Sequence, residues 1–192
     1  MKDKFEYAVS ISALIVAICA MVITFFEMRV IERHQKIMVW PRIGVGNYFS
    51  GGFEGRDDYR KVVSNVGLGP AVVKSVRFLI GGQVVTSIAE LTKHYLEIDQ
   101  DISKKYDKHS QEVLTSDLGQ NSILKPGDDW DIIRYVNPEF ARHVFLRMQE
   151  KKHSLTIEIC YCSLYDDCWI AKRYENTAVD ECPYVENEQF KF

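Results

Sequence analysis

The sequence predicts a mainly β protein in which an N-terminal transmembrane helix and a short helical stalk precede an antiparallel β-sandwich of about seven strands with two helical insertions. Three observations predict this class. Residues 7–26 contain no charge, short β-branched and aromatic runs follow between Gly, Pro, Asn and Asp, and βαβ alternation is missing. We expect a flank at 1–6, a span at 7–26, a stalk at 27–39, a sandwich at 40–174 and a loose polar tail at 175–192.

Length and charge exclude several classes of protein. The chain has 192 residues, of which 46% are hydrophobic and 27% charged, so it suits one ordinary domain and is too apolar for wholesale disorder. Its 24 Lys and Arg against 27 Asp and Glu give a formal net charge of −3. Because nucleic-acid binding needs concentrated positive charge, we expect no nucleic-acid partner.

The apolar run at residues 7–26 has the length of one membrane crossing. Its 20 residues would span roughly 30 Å as a helix, which is the thickness of the bilayer hydrocarbon. A core helix of a small domain would keep a polar stripe, whereas the hydroxyl residues here are scattered. A cleaved signal peptide would be shorter, and Ile18 before Cys19 does not fit a lipoprotein site. The segment is predicted to stay attached as a single-pass anchor in the lipid bilayer.

The charges that flank the span predict its orientation. Two cationic residues precede it and four follow it: Lys2, Lys4, Arg29, Arg33, Lys36 and Arg42. Because cytoplasmic flanks carry the excess of Lys and Arg, we expect an inner-membrane protein whose C-terminal domain lies in the cytoplasm.

The sequence of the helix also predicts how it self-associates and where it ends. Small residues four apart let membrane helices approach closely, which predicts a weak homo-oligomer. These pairs are Ala13 with Ala17 and Ala20 with Thr24. Beyond the span, strong helix formers continue to Trp40-Pro41, where the helix should end because the residue before proline avoids the α region.

Apolar residues at every second position identify the first strands. Ile43, Val45 and Phe49 alternate in one strand, and residues 59–65 form a second. The strand at 71–80 should bury one apolar face, comprising Val72, Val76, Phe78 and Ile80. Gly81-Gly82 then provides a tight hairpin turn into residues 83–86.

Two helical insertions are predicted among the later strands. Ile88, Leu91 and Tyr95 have helical spacing. Asn137-Pro138 resembles an N-cap with proline at the first helical position, and opens a helix whose buried face comprises Phe140, Val144, Phe145 and Met148. The polar stretch at 99–112 predicts a long exposed loop. Strands are expected at 122–124 and 130–135, and a terminal hairpin should join 155–162 to 168–174.

Asn65, Gly67 and Gly69 lie in the most distinctive string, NVGLGPA at 65–71. One interpretation is a tight, stiff connection between strands, with the Asn65 amide bonded to local backbone. The alternative is a nest of backbone N–H groups that binds an anion. The string matches neither the phosphate-loop nor the dinucleotide fingerprint. We retain these three residues as a candidate ligand site.

The predicted domain contains four cysteines: Cys160, Cys162, Cys168 and Cys182. Cys160 and Cys162 share one strand face and Cys168 returns across a five-residue turn, so three sulfurs can lie close together. The spacing C-x-C-x5-C-x13-C is not that of a zinc ribbon. Reduced thiols suit a cytosolic domain and are the expectation, with a Cys162–Cys168 disulfide and a metal site as alternatives.

No sequence pattern supports catalysis. The five histidines, His34, His94, His109, His143 and His153, show no ligand spacing. The acidic pairs at 128–129 and 166–167 are read as solvated turn residues rather than an acid–base pair. Trp130, Trp169, Tyr161 and Tyr165 are read as packed aromatics rather than a ligand cage. We therefore expect a protein that is not an enzyme and that carries no cofactor or metal.

Several motifs of this sequence together resemble those of one group of proteins. The single span, Trp40-Pro41-Arg42, the NVGLGPA string at 65–71 and ICYCSLYDDCW at 159–169 together resemble a group of uncharacterised small bacterial membrane-anchored proteins with an immunoglobulin-like β-sandwich. The resemblance covers more than half of the chain and leaves out the loop at 99–112 and the tail. It implies an architecture and no activity.

The function expected from these features is a non-catalytic module, held at the membrane, that recruits or regulates an unknown protein partner. Anchoring raises the local concentration of such a module near its partner. The alternative is a membrane-anchored sensor whose sandwich binds a small ligand. A sensor needs a concave pocket with converging polar groups, so the presence of such a pocket discriminates the two hypotheses.

Overall fold

A computed structural model describes residues 2–50, 58–97 and 113–191. The chain divides into two compact units, Met1–Met38 and Val39–Phe192, which are treated separately below. The exposed loop predicted at 99–112 lies outside the described residues.

The first unit is a single helix, α1 (Lys2–Met38). Among the described residues it is the one helix long and apolar enough to cross a membrane. Its side chains from Ser10 onward are exposed, including Leu14, Val16 and Met21. The helix ends two residues before Trp40, as the conformational restriction before proline predicts.

The second unit is mainly β. Its ten described strands are β1 (Ile43–Ser50), β2 (Asp58–Asn65), β3 (Ala71–Ile80), β4 (Gln83–Val85), β5 (Val113–Thr115), β6 (Ile123–Leu124), β7 (Asp129–Tyr135), β8 (Leu155–Cys162), β9 (Cys168–Lys172) and β10 (Glu175–Val179). They form a four-stranded antiparallel sheet, β1-β2-β7-β5, and a six-stranded antiparallel sheet, β10-β9-β8-β3-β4 with β6 beside β3. The predicted mainly β class is confirmed.

In the part of the domain that the structure describes, two α-helices interrupt the strands, as predicted. They are α2 (Ile88–Glu97) and α3 (Pro138–Met148). The Asn137 side chain caps α3 by accepting a hydrogen bond from the Phe140 backbone N–H at 3.0 Å, which satisfies one of the free N–H groups of the first turn. Phe140 and Val144 are buried, and Phe145 and Met148 are partly buried against the core.

Both sheets contribute to one buried cluster. Ile43 and Val63 of the first sheet and Phe78 and Ile157 of the second belong to it. The sheets are also joined by hydrogen bonding, because the backbone N–H of Ile43 donates to the Tyr161 hydroxyl at 3.3 Å. The apolar core of the unit therefore contains side chains from both sheets.

The predicted inner face of β3 is wrong at one position. Val72 is only half-buried, whereas Ala71 and Val73 are fully buried. The pairing register with β8 shifts between Val73 and Ser75, so alternation before the irregularity is out of phase with alternation after it. A strict period of two could not predict this change of face.

The C-terminal residues form specific contacts instead of the loose tail expected at 175–192. β10 pairs with β9, and the Phe190 ring stacks on Phe78 with centroids 3.8 Å apart. The Phe190 backbone N–H donates to the Val76 carbonyl at 3.1 Å, and that of Lys191 donates to the Thr86 carbonyl at 2.8 Å. The polar composition of the segment predicted a loose tail, but one aromatic side chain, Phe190, is buried and its backbone N–H is hydrogen-bonded.

Candidate functional site

Lys61 occupies an inward position of strand β2. Its neighbours at alternate positions, Tyr59 and Val63, both belong to the buried core, and Lys61 itself is only 4% exposed. The register with β7 shifts between Lys61 and Val62. A lysine on the buried side of a strand is unusual, because a charged ammonium loses its hydration there.

The Lys61 ammonium has a carbonyl partner and no ion pair among the described residues. Its Nζ donates to the Leu155 carbonyl oxygen at 2.7 Å. Burial, followed by repulsion from the Arg173 guanidinium, lowers the pKa of Lys61 to about 7. The amine therefore exchanges between charged and neutral forms near neutral pH.

A cavity of about 560 Å³ adjoins Lys61. Strands β1 and β2 contribute Val45, Asn47, Tyr59 and Lys61, and α3 with the following residue contributes Phe145, Met148 and Gln149. The rest of the lining comes from Lys151, Ser154, Leu155, Ile157, Arg173 and Tyr174. The volume falls in the range typical of small-molecule sites.

The charged lining of the cavity is cationic. Lys61, Lys151 and Arg173 line it, and the lining formed by the described residues includes no Asp or Glu. Arg173 is in the left-handed region with φ 55°, and its carbonyl accepts a hydrogen bond from the Val45 N–H at 3.0 Å. This bond attaches the turn between β9 and β10 to strand β1. The arrangement places positive charge where an anion would be stabilised.

The cavity lining also has an apolar part. The Phe145 ring of α3 stacks on Phe49 of β1 with centroids 4.3 Å apart. The Tyr59 hydroxyl lies 2.9 Å from the Met148 sulfur and 3.4 Å from Asn47 Oδ1. Burial raises the pKa of Tyr59 well above its usual range, so this phenol stays protonated. The end of α3 is thus fixed against the first sheet and completes the cavity.

The candidate ligand residues Asn65, Gly67 and Gly69 form a structural connection. Asn65 is fully buried; its Oδ1 accepts from the N–H groups of Arg42 and Gly67, and its Nδ2 donates to the carbonyls of Gly69 and Leu124. The Gly69 N–H donates to the Trp40 carbonyl. These polar groups are used internally, so the anion-nest interpretation is wrong.

The two glycines of this connection allow close backbone contact. A Cβ on Gly67 would meet the backbone of Trp40, Pro41 and Arg42, and a Cβ on Gly69 would meet the backbone of Val39. Any larger residue would force the two segments apart. The string NVGLGPA, which connects β2 to β3, therefore holds residues 39–42 at the beginning of the domain in place.

The four cysteines form two disulfides in place of the reduced thiols expected. Cys160 is bonded to Cys182, and Cys162 to Cys168. Cys162 and Cys168 are directly opposed across the β8–β9 pair, and the chain after β10 returns Cys182 to the same place. The Sγ atoms of Cys162 and Cys182 lie 3.8 Å apart. Because disulfide sulfurs are not thiolates, this pairing does not supply a metal's ligands.

Two of the five histidines lie together, although their spacing in the sequence does not indicate it. Ring nitrogens of His94 and His153 lie 3.1 Å apart, although 59 positions separate the two residues. Burial is the main cause that lowers the pKa of His153, although its ring is also 3.9 Å from the Glu150 carboxylate. These contacts join α2 to the turn before β8 and lie outside the cavity lining.

A second concavity lies on the first sheet. Its lining combines Arg60 with Asp117, Asp129 and Asp131, and Arg60 pairs with Asp131 at 3.3 Å. This open surface contains charges of both signs, and its cation is already neutralised. The Lys61 cavity is therefore the stronger candidate site.

Sequence reasoning missed Lys61, although a signal was present. In YRKVVSN at 59–65, Tyr59, Lys61, Val63 and Asn65 occupy alternate positions, so the lysine is in phase with core residues. The partners at residues 145–155 and 173–174 come from distant parts of the chain and had no local pattern. Comparisons with protein-family models, curated proteins and solved structures found no match to this chain.

Proposed function

We propose that this protein is a membrane-anchored sensor whose domain binds a small organic anion in the Lys61 cavity. One observation carries the proposal: a lysine that is 4% exposed lines a cavity whose other charged lining residues are cations. A bound anion would supply the counter-charge that the described lining lacks.

The lining supports a ligand with a compact anionic group and an apolar part. Lys61, Lys151 and Arg173 provide donors for charge-assisted hydrogen bonds to a carboxylate or phosphate. Phe145 and Met148 provide apolar surface in the same lining. The ligand class proposed is therefore small organic carboxylates and phosphate esters.

The experiment uses the full-length chain in phosphatidylcholine nanodiscs. Phenylacetate and phenyl phosphate are the anionic probes, and benzyl alcohol is the neutral probe. Calorimetry should show that both anions bind at least about tenfold more tightly than the alcohol, because the alcohol makes no charge-assisted bond. Lys61→Met should abolish this difference, whereas Lys74→Met, which removes a lysine outside the lining, should preserve it. Equal anion affinity in the wild type and Lys61→Met would contradict the proposal.

The architecture proposed for the domain is the immunoglobulin-like sandwich that the sequence resembles. The buried cluster shared by both sheets and the bond between Ile43 and Tyr161 support two layers facing each other. In that arrangement the Lys61 cavity opens between the layers beside α3. An experimental structure in which the two sheets do not face each other would contradict this.

The membrane side proposed for the domain is the oxidising face of a bacterial inner membrane. The flanking cations predicted the cytoplasm, but the margin is four against two. The Cys160–Cys182 and Cys162–Cys168 disulfides favour the opposite face, because cytosolic thiols are kept reduced. A reporter that is active only outside the cytoplasm should be active when it is fused to the C-terminus. Activity only of a cytoplasmic reporter would restore the orientation that the charges predict.

A second candidate function is the recruitment of a protein partner. Val66, Leu68 and Leu164 are 67%, 69% and 61% exposed. Because Val72 pairs with Cys162, the connection before β3 and the turn after β8 lie at the same end of the second sheet. Exposed apolar side chains grouped at one end are typical of interaction surfaces. Crosslinking in the native host should capture a specific partner, and Leu68→Glu with Leu164→Glu should abolish the capture; a chain that stays alone would contradict this function.

A further inference from the structure

We propose that Lys61 forms a reversible imine with the ligand of its cavity, so that the ligand is an organic anion that also carries an aldehyde or ketone. This inference rests on the proposed function, and it assigns a covalent step to the same site. Its basis is the position of one amine relative to the charges and the open space around it.

The surroundings of Lys61 favour a neutral amine. Nζ is buried and has the Leu155 carbonyl as its hydrogen-bond partner, and the other charged groups of the cavity are Lys151 and Arg173. A buried lysine that serves as a structural cation would lie beside a carboxylate, and none lines this cavity in the described part of the chain. Desolvation and a neighbouring cation are two means by which proteins activate a lysine as a nucleophile.

The depressed pKa of Lys61, about 7, agrees with this geometry. At pH 7 roughly half of the Lys61 amines are neutral, whereas an exposed lysine of ordinary pKa has a neutral fraction roughly a thousandfold smaller. Tyr59 also lines the cavity, and it stays protonated in this range because burial raises its pKa.

The chemical step balances without an oxidant or reductant. The neutral Lys61 amine attacks the carbonyl carbon and forms a carbinolamine. That intermediate loses the former carbonyl oxygen as water, which carries away both protons of the amine, and a carbon–nitrogen double bond remains. Water reverses the step. The charged form of Lys61 would first bind the anionic group together with Lys151 and Arg173, and these two residues would keep that group in place while the carbonyl reaches the neutral amine.

The probes are phenylpyruvate and phenyllactate, which share a carboxylate and an aromatic ring. They differ because the first carries a ketone where the second carries a hydroxyl. The full-length chain in nanodiscs is incubated with each probe and cyanoborohydride, which reduces an imine to a stable secondary amine. Peptide mass spectrometry then locates the adduct.

We expect phenylpyruvate to label Lys61 at least about tenfold more than any exposed lysine at pH 7, because of the difference in neutral amine. Phenyllactate should bind by calorimetry and leave no adduct. Lys61→Arg should keep affinity for phenyllactate and lose the phenylpyruvate adduct, and Lys61→Met should lose both.

The outcomes separate the imine from the proposed function. If phenyllactate binds in a Lys61-dependent manner while phenylpyruvate leaves no adduct on Lys61, the imine is overturned and anion binding stands. If phenylpyruvate labels lysines in proportion to their exposure, the imine is likewise overturned. If neither probe binds, both the imine and the proposed anion site are overturned.

Discussion

Lys61 lowers the stability of the folded domain, because the folded state holds its amine at a pKa of about 7 and the unfolded chain restores the ordinary value near 10.5. Between these values the unfolded chain binds more protons, so the free energy of unfolding should rise with pH. The slope approaches about 1.4 kcal/mol per pH unit for one group. Below pH 7 both states are protonated and the contribution becomes constant.

Lys61→Met should remove this slope and stabilise the domain most at low pH. The slope is measured by urea unfolding of the full-length wild type and Lys61→Met at pH values from about 6.5 to 9.5. The buried tyrosines with raised pKa values contribute equally to the wild type and to the variant, so they do not change the comparison. Lys74→Met is the matched control and should keep the wild-type slope. Parallel curves for the wild type and Lys61→Met would show that Lys61 is not titrating as described.

Asn65 should be among the most sensitive polar positions. It is 0% exposed, and its amide makes four hydrogen bonds to backbone groups. Asn65→Ala leaves buried donors and acceptors without partners, which should lower the free energy of unfolding by about 3 kcal/mol or more. Val66→Ala is the control, because Val66 is 67% exposed and its loss should cost under about 0.5 kcal/mol. Similar losses for both variants in urea unfolding would contradict this role.

The sequence predicted correctly those features that depend on residues only a few positions apart in the chain. Gly81 and Gly82 have φ of 57° and 95°, as the tight turn between β3 and β4 requires, and Asn137 caps α3 as expected. The irregularity at Val73–Ser75 was not predictable, because it depends on the register with β8, whose partner residues Tyr161 and Cys160 lie 88 and 85 positions away in the chain. The partners of Lys61 were not predictable for the same reason.

The C-terminal segment allows a prediction at the scale of an element. Phe190 is 6% exposed and stacks on Phe78, so Phe190→Ala should lower the free energy of unfolding by about 3 kcal/mol or more. Tyr184→Ala changes an aromatic residue of the same segment that is 50% exposed, and it should cost under about 1 kcal/mol. Urea unfolding of the two variants decides between a docked segment and a loose tail; equal, small losses would indicate the tail.

At the scale of the whole molecule, the proposed placement of the domain on the oxidising face requires α1 to act both as membrane anchor and as export signal. Ile15, Ile18 and Val22 are 55%, 53% and 49% exposed within their unit, so charges placed there disrupt no buried packing in that unit. Each arginine costs about 2.5–3.5 kcal/mol at the centre of a span, whereas each Ile or Val contributes only about −0.3 to −0.6 kcal/mol. Three arginines should therefore outweigh the favourable insertion of the remaining residues.

The triple variant Ile15→Arg, Ile18→Arg and Val22→Arg should leave carbonate-washed membranes and appear in the dissolved fraction, whereas replacing the same three residues by leucine should not release the chain. Because release would also leave the domain in the cytosol, all four cysteines of the Cys160–Cys182 and Cys162–Cys168 pairs should then be alkylated without prior reduction. Wild-type protein in the dissolved fraction would refute the anchor. A triple variant that is released but keeps both disulfides would separate the two roles, since the sulfurs would then oxidise independently of export.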